Sequence, residues 1–253
     1  MKVVSIFSGG LDSTILLYKL VDEYKTENVF PIIFEYGQRH DIEVIKARTT
    51  CQKLNLTPNI INLSFLGDII KGVSCLSKTS NLATPDIKEV LGESQPLTYV
   101  PFRNGIFTML ALSYAESINA NKVFIGVQTH DLYGYFDTIP EFYKRFNSLI
   151  ELNRKNLITI ETPFINLSKK DEIEIGLKLN VPFEDTWSCY NPQVKTDVVL
   201  DSLIAFPSTY LACGKCATCA ERIMNFAKAG IKDNIKYNIS IDWDYLISEW
   251  SVK

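Results

Sequence analysis

The chain has 253 residues, 46% of them apolar, enough to fill the core of one sizeable α/β domain. Its 29 acidic residues outnumber the 26 basic ones and no block of five like charges occurs, which argues against a generic binder of phosphate backbones. No apolar stretch reaches the roughly eighteen residues of a membrane-spanning helix, and the opening MKVVSIFSGG is too short in its apolar run for a signal peptide. A soluble, cytoplasmic protein is expected.

The first strand is expected at KVVSIF and is followed by a helix over 11–25; VFPIIF at 29–34, a helix over 41–54 and a strand from 59 complete a βαβαβ opening. A polar stretch with Gly and Pro occupies 71–97. An apolar helix is predicted over about 104–119, the strand KVFIGV over 122–127, a helix over 140–155 and a strand in LITIET from 157. Ser168 then reads as the N-cap of a further helix, with Asp171 three residues on. Apolar strands alternating with helices predict a doubly wound parallel sheet covered on both faces, with ligands beyond the carboxyl ends of the strands. No repeat or linker divides 1–253, so residues from about 187 to 226 read as an appendage of the same domain. The tail from about 231, with DWDYLISEW, is expected to pack on the chain's own core, with a second subunit as the alternative.

FSGGLDST, residues 7–14, ends the first strand and opens the first helix. Free backbone amides at a helix start suit an anion, and Gly9 and Gly10 let the main chain approach it closely. Ser8, Ser13 and Thr14 add hydroxyl donors. The string matches neither the Walker P-loop nor the dinucleotide fingerprint. Lacking the P-loop lysine, it suits cleavage of ATP to AMP and pyrophosphate better than γ-phosphoryl transfer. Asp12 would repel phosphate unless Mg²⁺ lay between them. Two glycines and a capping acid could also serve only to make a tight turn, but the complete S-G-G-x-D-S directly after the first strand resembles the PP-loop of the ATP pyrophosphatase superfamily. Ser8, Gly9, Gly10, Leu11, Asp12, Ser13 and Thr14 are thus the expected ATP-binding set.

The six cysteines are uneven: Cys51 and Cys75 stand alone, whereas Cys213, Cys216 and Cys219 form C-x2-C-x2-C, with Cys189 upstream in TWSCY. Four thiolates can close a tetrahedral zinc site with no open position, which makes a structural role the expected one. Buried thiols, or an iron–sulfur site held by three of them, are the alternatives. Only His40 and His130 occur, so a histidine-rich metal centre is excluded.

Four further segments sit where a doubly wound sheet presents its ligand loops: FEYGQRH at 34–40, YVPFRN at 99–104, GVQTHDLYGYFD at 126–137 and ETPFINLSK at 161–169. With the PP-loop first and TWSCY…ACGKCATC last, the series resembles the QueC family of 7-cyano-7-deazaguanine synthases over roughly residues 3–226. The resemblance implies a homodimeric, zinc-containing carbon–nitrogen ligase that uses ATP, Mg²⁺ and ammonia to turn 7-carboxy-7-deazaguanine into the nitrile by way of the amide. Asp12, Ser13 and Lys169 would serve the adenylation. Tyr36, Gln38, Arg39, His40, Arg103, Asn104, Asp131, Gly134, Tyr135 and Asp137 would contact substrate or nucleotide. Phe102, Tyr133, Phe136, Thr138 and Ile139 depart from the family pattern and make the loop near the expected deazapurine pocket more apolar. A divergent member, of the kind found in anti-phage gene clusters, would stop at the amide or pass the activated acyl group to another amine, including a protein amine. A tRNA-modifying PP-loop enzyme is the remaining alternative, opposed by the net charge of −3.

Overall fold

The computed structural model describes residues 1–39, 42–85, 87–90, 96–129, 135–153, 157–194 and 210–251. In chain order the elements are β1 (Val3–Ile6), α1 (Leu11–Tyr24), β2 (Val29–Glu35), α2 (Ile42–Lys53), β3 (Asn59–Asn62), α3 (Phe65–Ile69), α4 (Ile87–Val90) and α5 (Arg103–Ser117). They continue with β4 (Lys122–Ile125), α6 (Pro140–Ile150), β5 (Thr159–Glu161), α7 (Lys169–Lys178), β6 (Gln193–Val194), β7 (Tyr210–Leu211), α8 (Ala217–Lys228) and α9 (Trp243–Ser251).

The first five strands make one sheet in the order β3-β2-β1-β4-β5, and every pair is parallel. Successive side chains of a strand face opposite sides. Val4 and Ile6 of β1 accordingly join Ile32, Phe34, Val123 and Ile125 in one core, beneath Leu66 of α3, Phe107 and Ala111 of α5 and Tyr143 of α6. Val3 and Phe7 join Val29, Ile33 and Phe124 in the other, against Leu11, Ile15, Leu16 and Leu20 of α1, Val44 and Ala47 of α2, Ile173 of α7 and Phe226 of α8. Burying an aliphatic side chain of this size is worth about 2 kcal/mol before conformational entropy is charged. The doubly wound sheet expected from the alternation is therefore present. The chain leaves β1 toward β2 through α1 on one face and reaches β4 through α5 on the other, so the winding reverses between β1 and β4.

The edges of several elements fall short of the sequence pattern. The strand expected over 122–127 stops at Ile125, and Gly126 then passes so near the start of α1 that a Cβ there would lie 3.3 Å from the Asp12 carbonyl and the Ser13 amide. The helix expected over 140–155 ends at Ile150, and the short helix α4 lies within the polar 71–97 stretch. Ser168 and Asp171 do form a reciprocal capping box at the start of α7. In the tail, Trp243 packs against the α1/α8 core, whereas Tyr245 is exposed. Among the described residues no helix is long and apolar enough to cross a membrane.

Candidate active site

The reversal point opens into a cavity of about 310 Å³. Its floor is the turn from Ser8 to Ser13. The Ser8 and Ser13 hydroxyls lie 3.0 Å apart, the Gly10 amide donates to Ser8 Oγ at 3.2 Å, and Thr14 Oγ1 donates to the Gly10 carbonyl at 2.7 Å. Gly9 adopts a φ of +84°, and a Cβ there would stand 2.3 Å from the Glu43 carbonyl. The residues of the expected ATP-binding set therefore divide their work. Ser8, Gly10, Leu11, Asp12 and Ser13 line the cavity, while Gly9 and Thr14 shape the turn behind it. The first amides of α1 have no intrahelical acceptor and point along the helix start, the geometry of an anion site.

A charged cluster joins this turn from far along the chain. Lys169, the first residue of α7, places Nζ 2.5 Å from Asp12 Oδ1, a contact spanning 157 positions. Burial works against the ammonium, but Asp12, Glu172 and Glu221 outweigh it and hold the Lys169 pKa above its ordinary value. Burial, with Asp12 next, pushes the Glu172 carboxyl well above its usual range. Both Glu172 carboxylate oxygens are buried without a hydrogen-bond partner. Hard oxygen donors with an orphaned carboxylate beside a phosphate turn fit a Mg²⁺–phosphate site.

The other end of the cavity is aromatic. Tyr36, Phe107, Tyr135 and Tyr190 line it together with Glu43, Arg103 and Gln128. Arg103 opens α5 immediately after Phe102, whose φ is +52°. Burial opposes the guanidinium charge, and Tyr36, Tyr190 and Asp137 overcome it. The expected substrate residues are not equivalent here. Tyr36, Arg103, Asn104 and Tyr135 line the cavity. Gln38 also reaches its wall, but its Oε1 accepts from the Tyr36 amide at 2.8 Å. Arg39 lines the cavity too, with its guanidinium held by the carbonyls of Ser80 and Leu82 at 2.8 and 2.9 Å. Asp137 turns its carboxylate to the Asn104 amide at 3.2 Å and so fixes the start of α5 from behind. His40, Asp131 and Gly134 lie outside the described residues.

Several residues in or beside the cavity carried no signal that singled them out in the sequence. Glu43 reads as an ordinary acid in the first turn of α2, where it would complement the helix dipole. Glu172 reads as solvated until α7 is docked, although its i+3 spacing from Lys169 puts both on one helical face. Trp187 and Tyr190 flank a cysteine motif that draws attention to its sulfurs alone.

Those sulfurs do converge. Cys189, Cys213, Cys216 and Cys219 are buried, with their Sγ atoms within 4.8 Å of one another. The Cys213 and Cys219 sulfurs are 3.9 Å apart, close to the roughly 3.8 Å edge of a tetrahedron with 2.3 Å zinc–sulfur bonds. The Cys213 and Asn191 amides donate to Cys189 Sγ at 3.2 and 3.3 Å, and the Cys216 amide donates to Cys213 Sγ at 3.3 Å, as thiolate ligands require. Hydrogen bonding led by the Cys189 sulfur pulls the Cys213 thiol below its ordinary value. The donor set thus fits a closed, four-coordinate soft-metal site. Its surroundings bind it to the cavity. The Trp187 amide donates to the Gly9 carbonyl at 3.0 Å, and Thr218 Oγ1 to the Ser188 carbonyl at 2.7 Å. Arg222 forms a buried two-pronged pair with Asp233, at 2.6 and 3.0 Å, and donates to Thr186 Oγ1 at 2.7 Å.

A family model for queuosine biosynthesis protein QueC matches residues 2–230. The 7-cyano-7-deazaguanine synthase of Caldicellulosiruptor saccharolyticus is 39% identical over 245 residues, covering 96% of this chain and 99% of that one. The enzyme of the same name from Oceanobacillus iheyensis is 40% identical over 239 residues, with coverage of 93% and 98%. Among solved structures, NMN synthetase from Francisella tularensis aligns over 98% of this chain and 83% of its own, at 15% identity and a TM-score of 0.44. Sequence similarity of this depth, running through the phosphate turn and the cysteine cluster alike and over nearly the full length of the curated relatives, makes the chain a member of the QueC family.

Proposed function

We propose that the chain is an ATP-dependent ligase that adenylates 7-carboxy-7-deazaguanine and combines it with ammonia, giving first the amide and then the nitrile. The observation that carries this reading is one cavity with a phosphate turn at one end and an aromatic, Arg103-bearing pocket at the other. A carboxylate oxygen of the substrate attacks the α-phosphorus of ATP and pyrophosphate leaves. The amides of the turn, Ser8 and the Lys169 ammonium hold the departing negative charge. Ammonia adds to the acyl carbon, AMP departs with the carbon–oxygen bond, and one ammonium proton is lost to solvent. In the second round the amide oxygen attacks another ATP, pyrophosphate leaves again, and loss of AMP with both amide protons leaves the carbon–nitrogen triple bond. Mg²⁺, held by Asp12 with Glu172 nearby, would screen carboxylate from phosphate. Zinc held by the four cysteines would be structural, fixing Trp187 to Tyr190 as a wall of the cavity.

The reading is tested by incubating the purified protein with ATP, Mg²⁺, ammonium and 7-carboxy-7-deazaguanine and following products by mass spectrometry. AMP and the nitrile are expected, and absence of AMP-linked turnover of the deazapurine would overturn it. One observation favours a second reading. Phe102 is 62% exposed and packs edge-on against Phe136, each next in the chain to a cavity-lining residue, Arg103 and Tyr135, an apolar pair suited to an acceptor larger than ammonia. In that case the same assay stops at the amide, and a deazaguanine adduct forms on a protein amine.

A further inference from the structure

Glu43 is a half-buried carboxylate that faces the cavity, and Arg103 is the charged group that acts on it. It sits in the first turn of α2, lines the aromatic end of the cavity beside Tyr36, Phe107 and Tyr190, and has no hydrogen-bond partner among the described residues. Burial, opposed only by Arg103, pushes its carboxyl up to about 7. It does not belong to the acidic cluster at the phosphate end, whose members Asp12, Glu172 and Glu221 act on Lys169. A carboxylate that faces a cavity with no donor of its own is completed when a ligand supplies the donors.

The ligand that completes it can be read from the neighbouring charge. A 2-amino-4-oxo pyrimidine edge presents, in order, an exocyclic amine, a ring N–H and a carbonyl oxygen. A carboxylate accepts from the first two at once, and a guanidinium beside it donates to the third. Adenine offers one donor next to an acceptor, so a carboxylate takes only half of its edge. The aromatic rings that line this part of the cavity, Tyr36 and Tyr190 among them, suit a planar ligand.

Resting on the function proposed above, we infer that Glu43 is the specificity-determining residue for the deazapurine: its carboxylate binds the exocyclic amine and ring N–H, with Arg103 donating to the adjacent carbonyl oxygen. The ATP base is bound elsewhere. Steady-state kinetics of the full-length protein, varying each substrate in turn, tests this with E43Q, E43A and a second deazapurine lacking the 2-amino group. In both variants KM for 7-carboxy-7-deazaguanine is expected to rise roughly 10- to 100-fold, the worth of one bidentate contact, while KM for ATP moves less than about 3-fold. The wild-type protein is expected to disfavour the 2-desamino compound by a similar factor, and E43A to lose that preference. The wild-type comparison needs no variant to fold. A rise confined to KM for ATP, or equal use of both deazapurines by the wild-type protein, would overturn the assignment of Glu43 and leave the enzyme's reaction standing. No turnover of either deazapurine by the wild-type protein would overturn both.

Discussion

The two ends of the cavity are built in opposite ways. The phosphate end is a local structure: Ser8, Gly10, Ser13 and Thr14 bond to one another across five positions or fewer, with main-chain amides and side-chain hydroxyls sharing the donor role. The aromatic end gathers Tyr36 and Glu43, Arg103 and Phe107, Tyr135, and Trp187 with Tyr190 from four separate stretches of chain. Pyrophosphate is recognised by charge and curvature, which one turn can provide. A heterocycle is recognised by edges and faces, which must be brought from several directions and held still.

Loss of the cysteine cluster should damage the aromatic end most. In C216S one of four ligands is removed, and because folding and metal binding share one free energy the expected result is loss of bound zinc and of most soluble protein. Metal analysis of the purified variant checks this, and one zinc per chain retained in C216S would refute the assignment. K169M strikes the other end. It leaves Asp12, Glu172 and Glu221 without their common cation, and the rate of AMP formation should fall about 10²- to 10³-fold, as when one preorganised donor is removed from a developing charge. KM for the deazapurine should change little, which would separate the two ends kinetically.

A smaller effect concerns Glu43 in the ligand-free protein, where Arg103, Tyr36 and Tyr190 are the groups that face it. The folded chain keeps the Glu43 proton up to about pH 7, whereas an unfolded carboxyl releases it near 4.5. The folded state therefore binds more protons between these values, and stability contributed by Glu43 falls as pH rises from 4.5 to 7. Denaturant titrations of wild type and E43Q across that window should show a slope in the first that is missing in the second. The smallest effect is expected from F102G. Glycine relieves a left-handed backbone but frees the unfolded chain, and the net change in stability should stay within about 1 kcal/mol.

The contrast also explains what could be read in advance. The phosphate turn, the cysteine spacing, the capping box at Ser168 and the alternation of strands and helices are all written in short windows, and the fold follows them. Lys169 meets Asp12 across 157 positions, so only the family resemblance drew attention to it. Glu43 and Tyr190 acquire meaning only once α2 and the Trp187–Tyr190 segment face one cavity. Arg39 and Asp137 show the reverse limit. Their residue types suit ligand contact, and the structure adds what the sequence does not show: loop carbonyls hold the Arg39 guanidinium at the cavity wall, and the α5 amide holds the Asp137 carboxylate. A sequence shows which groups are available and not which of them the backbone has already engaged.

At Gly9 the phosphate turn and helix α2 meet main chain to main chain, with the site of a Cβ 2.3 Å from the Glu43 carbonyl. Nothing compressible stands between the strip that cradles pyrophosphate and the helix that carries Glu43. If the proposed contacts hold, the molecule has in effect a rigid caliper, one jaw on phosphorus and the other on a ring edge, with its opening set by peptide geometry. Selection by such a caliper is selection by length. A heterocycle whose carboxyl group stood one bond farther from its edge could enter the cavity and still hold its oxygen away from the line of attack.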